Sequence, residues 1–129
     1  MKIILGRHGT AEDKADSKED ADRVLTAEGK EQADLQGRVV AATLGAVDEL
    51  WTSPLVRALQ TAGIASKHLK IKPTVEPLLA ISGDLEQLAW KMQREAVPTL
   101  MLVGHQPDLG RLAARLLGFV SEVSLKKGG

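Results

Sequence analysis

The 129-residue chain, 43% hydrophobic, has the length and apolar content of one ordinary domain and is too short for two. Lys+Arg and Asp+Glu each number 17, so no net charge draws it to nucleic acid or to an acidic membrane surface, and any cationic site must be local. The absence of cysteine excludes disulfides and thiolate metal sites, and the first apolar run is too short for a signal peptide or spanning helix, so a cytoplasmic protein is expected.

Residues 2–5 read as a short buried strand ending at Gly6-Arg7-His8-Gly9. Residues 11–23 are charged and nearly free of large apolar side chains, which predicts a mobile loop placed to act as a lid. A helix is predicted over 26–44, with Thr26 as N-cap, Glu28 in the first turn, and Leu35, Val39 and Ala42 on a common core-facing side. A strand at 49–52 leads to Ser53-Pro54, where proline suits a first helical turn. Leu55, Leu59, Ala62 and Leu69 then carry a stripe to Lys70. Pro73 enforces extended chain before a strand at 74–75.

A third helix over 83–96 presents Leu85, Leu88, Ala89 and Met92. A strand at 99–103 precedes a fourth helix over 107–117, which carries Leu109, Leu112, Ala113 and Leu116 and is closed by Gly118. Lys126-Lys127-Gly128-Gly129 reads as an interrupted turn. Strand and helix alternate throughout, without repeat or linker. The expectation is one domain over 1–129 with α/β architecture, a three-layer α/β/α sandwich on a mostly parallel sheet.

Ligands in such sheets bind where strands end and helices begin. Those places hold Arg7-His8-Gly9, Ser53-Pro54 with Arg57, Ser82-Gly83-Asp84, and Gly104-His105-Gln106-Pro107. Two guanidinium forks and helix N-termini favour a phosphoryl ligand. A neutral imidazole is a competent nucleophile, which gives His8 the attack on phosphorus and leaves His105, as a cation, to offset charge beside Arg7 and Arg57. Blander readings stand beside these: His8 as a cap, His105 as a satisfied core histidine, Arg57 as a surface partner of Glu49. His68 reads as a solvated residue at a helix end. Trp51 and Trp90 read as packing, since aromatic content is only 2%.

Arg7-His8-Gly9 after the first strand, Ser53-Pro54 with Arg57 and Gln60-Thr61-Ala62, and Val103-Gly104-His105 before a helix together resemble the histidine phosphatase (phosphoglycerate mutase-like) superfamily. The short length, Leu25-Thr26-Ala27-Glu28-Gly29 and Gly104-His105-Gln106-Pro107 look most like SixA-type phosphohistidine phosphatases. The resemblance spans nearly the whole chain and implies a phosphoglycerate mutase-like fold. It also implies that His8 is phosphorylated and that Arg7, Arg57 and His105 complete the pocket. Arg23 reaches in from the loop. Gly9, Ser53 and Asp84 are expected to contact the substrate, with Asp84 also a candidate acid for the leaving group. No cofactor or metal is expected.

Many members of the superfamily carry a glutamate after the third strand to protonate the leaving group. This chain has Pro77-Leu78-Leu79-Ala80 there, with only Glu76 and Asp84 nearby. An imidazole leaving group needs less help, which favours protein phosphohistidine, as on a histidine phosphotransfer domain, over a small phosphorylated metabolite. The family also continues beyond 126–129 with further strand residues, so a C-terminal strand is expected to be lacking. The rivals are a metabolite phosphatase or mutase, a metal-dependent hydrolase using His8, His105 and Asp84, and a catalytically silent phosphate-binding module.

Overall fold

Apolar side chains on both faces of the central strands require helices on both sides of the sheet. The computed structural model describes residues 1–13, 19–116 and the backbone of 125–127. Strands β1 (Lys2–Arg7), β2 (Glu49–Thr52), β3 (Pro73–Val75), β4 (Thr99–Gly104) and β5 (Leu125–Lys127) form a parallel sheet in the order β3-β2-β4-β1-β5. The helices are α1 (Ala27–Leu44), α2 (Val56–Leu69), α3 (Leu85–Glu95) and α4 (Asp108–Leu116). None of the described helices is long and apolar enough to cross a membrane.

Alternation along the strands sorts the core into two clusters. Leu50, Met101 and Val103 face Val40, Ala58, Ala62 and Leu69 of α1 and α2. Ile3, Leu5, Trp51, Leu100 and Leu102 face Leu88, Met92, Leu109, Leu112 and Leu116 of α3 and α4. From β1 through β2 to β3 the chain steps one way across the sheet, and from β3 through β4 to β5 it steps back. Right-handed crossovers therefore place α1 and α2 on one face and α3 and α4 on the other. The chain leaves neighbouring strands β1 and β4 toward opposite faces, which opens a crevice beyond Arg7 and Gly104.

Helix α1 starts where expected, with Thr26 Oγ1 accepting from Gly29 N at 3.0 Å, but it buries a different face. Leu35 and Val39 are 51% and 50% exposed, and Ala42 is exposed as well. The buried side is Gly29, Ala33, Gln36, Gly37 and Val40. A Cβ on Gly37 would lie 2.7 Å from Ala65 Cα, so small residues let α1 pack closely on α2, an approach that leucine or valine would block.

The interrupted turn expected at 126–129 is corrected at Lys126 and Lys127, which belong to β5 and align with Gly6 and Arg7. Within the predicted lid, Ala11 bridges Leu25 in antiparallel fashion and Asp20–Asp22 form a 3-10 turn, while 14–18 lie outside the described residues. Leu117 and the expected Gly118 stop of α4 also lie outside them.

Candidate active site

Arg7 and His8 stand at the end of β1, where His8 N donates to Gly104 O at 3.2 Å. The following turn is wedged against α1. A Cβ on Gly9 would lie 2.4 Å from Gly29 O, and one on Gly29 would lie 2.0 Å from Thr10 O. Only glycine at both positions permits this approach. Gly9 N donates to Thr61 Oγ1 at 3.1 Å, and that hydroxyl donates to Arg57 O at 2.8 Å, which ties the His8 turn to the start of α2.

The His8 ring is fixed at both nitrogens. Nδ1 lies 2.6 Å from Gly9 O, and because a carbonyl only accepts, Nδ1 carries the proton. The lone pair therefore sits on Nε2, where it accepts from Arg57 Nε at 3.3 Å. Arg57 is 3% exposed, so its cation lies within the protein rather than at the surface. Glu49, the surface partner that the blander reading gave it, instead accepts from Trp51 Nε1 at 2.9 Å.

His105 faces His8 across the crevice with ring centroids 5.2 Å apart. It is 2% exposed, and its Nε2 lies 2.7 Å from Ser53 Oγ, which also accepts from Leu55 N at 3.2 Å. Burial, followed by repulsion from His8 once it is itself protonated and from Arg57, pushes its pKa down to about 3. A pKa that low leaves His105 neutral near pH 7 when no anion lies beside it. Its Nδ1 and Arg7 Nε are buried without a hydrogen-bond partner among the described residues, and polar atoms of this kind are costly to leave unmet.

Arg23 and Arg57 meet through one carboxylate. Asp20 Oδ1 accepts from Arg23 Nη1 at 3.0 Å, and Oδ2 from Arg57 Nη2 at 3.3 Å. Arg57 Nη1 donates to Asp20 O at 2.8 Å, and Arg23 Nε to Glu12 O at 2.6 Å. Bonding to Arg23 and the nearby Arg57 charge hold Asp20 below the usual carboxylate pKa. The sequence reading did not single out Asp20, because it is one of many charged residues in a charged loop.

The two carboxylates after β3 have other work. Asp84 is exposed and caps α3, accepting from Gln87 N at 3.1 Å, so its observed contact is that of a helix cap rather than of a substrate ligand. Buried Glu76 is ion-paired with Lys91 and accepts from Leu78 N at 3.0 Å. The sequence reading also missed Asp108, buried at the start of α4, which accepts from Ser82 N at 2.7 Å and ties the loop before α3 to the His105 region. His68, given no role, lies 2.6 Å from Asp34 Oδ1 and links α2 to α1. Among the described residues no three His, Asp or Glu side chains converge as metal ligands.

A crevice at the reversal of a parallel sheet, lined by two imidazoles and a buried guanidinium, marks a phosphoryl-handling α/β protein. The chain belongs to the histidine phosphatase superfamily, branch 1, whose profile matches residues 3–119. Within it the likeness is to SixA-type proteins: the solved structure of the protein histidine phosphatase SixA complexed with tungstate is 27% identical, with a TM-score of 0.83 over 90% of this chain and 76% of that one. An uncharacterized protein of Picosynechococcus is 42% identical over all of this chain and 82% of its own length. A phosphoglycerate mutase from Plasmodium falciparum shares the fold at 22% identity and a TM-score of 0.65, over 92% of this chain and 69% of that one.

Proposed function

We propose that the chain is a phosphohistidine phosphatase that removes phosphate from histidine on a protein, such as a phosphotransfer domain, through a phosphorylated His8. The observation that carries this reading is the ring of His8, whose protonated Nδ1 rests on Gly9 O while the Nε2 lone pair lies beside a buried guanidinium. In the first step Nε2 attacks phosphorus, an N–P bond to His8 forms, and the substrate P–N bond breaks. The substrate imidazole, protonated beforehand from solvent on the ring nitrogen that does not carry phosphorus, departs as the neutral base. In the second step water attacks phosphorus, the His8 N–P bond breaks, and inorganic phosphate leaves.

Arg57 and Arg7 offer forked donors to the oxygens of the transferring group, and Arg23 adds charge from the loop. His105, neutral beside Ser53, gains its proton most readily when a phosphoryl dianion offsets the surrounding cations. Positive side chains do the charge work that a metal would otherwise do. Glu76 held by Lys91 and Asp84 capping α3 leave neither carboxylate placed as a general acid, which supports a leaving group with low demand for one. The protein partner and a cytoplasmic location belong to the same reading.

The test is to incubate the purified chain with a phosphorylated histidine phosphotransfer domain and, separately, with phosphoglycerates, with and without chelator. Chelator-resistant release from the phosphoprotein supports the proposal. Release from phosphoglycerates alone overturns the substrate, and loss with chelator overturns the mechanism.

A further inference from the structure

The guanidinium of Arg57 grips a phosphoryl group best through two parallel N–H bonds along one edge. On its Nε/Nη2 edge, Nε already points to His8 Nε2 at 3.3 Å, and Nη2 points to Asp20 Oδ2 at 3.3 Å. A phosphoryl group arriving at His8 Nε2 needs that edge. Asp20 also takes up Arg23 Nη1, so one carboxylate draws on two of the cations available to the ligand. Its lowered pKa keeps it charged wherever the enzyme works. The turn itself is docked independently of this carboxylate, since Arg57 Nη1 donates to the Asp20 backbone carbonyl at 2.8 Å.

We propose that the Asp20 carboxylate is a built-in competitor for phosphate: it occupies half of the Arg57 fork, and an oxyanion bound at His8 must displace it. This rests on the phosphate-pocket reading above and adds to it an affinity-setting residue. Free phosphate, which has only its charge to offer, is held weakly and leaves readily after hydrolysis. A phosphorylated protein brings further contacts and tolerates the competition.

Calorimetric titration of the full chain with inorganic phosphate tests this. In Asp20→Asn and Asp20→Ala the dissociation constant for phosphate should fall by about fivefold, the scale of a partly exposed ion pair. Asp22→Asn, which removes an exposed carboxylate from the same turn, should leave it unchanged. Equal or weaker phosphate binding in both Asp20 variants, with the wild type still binding, overturns the competitor and makes Asp20 a support for the arginines. Equal tightening by Asp22→Asn overturns it in favour of general charge. Failure of every form, wild type included, to bind phosphate overturns the pocket reading together with the competitor.

Discussion

Arg57 Nε donates to His8 Nε2 across 3.3 Å, so the cation suited to hold a phosphoryl group also marks the nitrogen suited to receive it. Replacing Arg57 by Ala should lower kcat by about 10²- to 10³-fold, the usual consequence of removing a preorganised donor from developing charge. Arg57→Lys should recover little, because an ammonium cannot serve His8, the phosphoryl oxygens and the Asp20 carbonyl from one plane. Steady-state kinetics on a phosphohistidine protein check both.

Ser53→Ala removes the partner of His105 Nε2 and the acceptor of Leu55 N in one step. A buried imidazole and a half-buried amide lose their partner, so denaturant unfolding should show a loss of about 1–3 kcal/mol. A freed His105 ring should also lower kcat by roughly ten- to a hundredfold while KM changes less, because misplacement weakens the transition state more than binding.

The turn that carries His8 should be intolerant of any side chain at its contact with α1. Gly9→Ala or Gly29→Ala places a Cβ against backbone rather than against a flexible side-chain end. Each should cost about 1–3 kcal/mol or more by denaturant unfolding and should reduce activity by shifting His8.

His105 sets a sign for the pH dependence of stability. Its folded pKa of about 3 lies below the ordinary histidine value of 6.5, so between these values the unfolded chain binds more protons. Stability is therefore complete above about pH 6.5 and falls as pH drops toward 3, with a slope approaching about 1.4 kcal/mol per pH unit. Asp20, also lowered, adds loss in the same direction at the acidic end. Urea midpoints from pH 7 to pH 4 should decline in the wild type and flatten in His105→Gln.

The strands were legible because β4 is a nearly continuous apolar run and β2 carries Leu50-Trp51, each ending at Gly or Ser-Pro, and such segments are buried on both faces. The helix cap Thr26 was equally plain at the level of residue type, whereas Asp84, given to the substrate, was not read as the cap of α3. The face of α1 was misread because periodicity rewards large apolar side chains, whereas close packing on α2 rewards Gly37 and Ala33. His8, His105 and Arg57, which the structure brings together, were singled out because they follow strands. Asp20 and Asp108 act through contacts 37 and 26 residues away in sequence, with Arg57 and Ser82, and no local pattern marks them.

The central claim is that phosphate passes through His8. The most direct measurement is mass spectrometry of the chain mixed with a phosphohistidine protein and quenched within one turnover at alkaline pH. The account predicts a mass gain of one phosphoryl group, mapped to the peptide containing His8 and absent from His8→Ala, which should also lack turnover. A His8→Ala protein that still releases phosphate, or a label found on another residue, would contradict it.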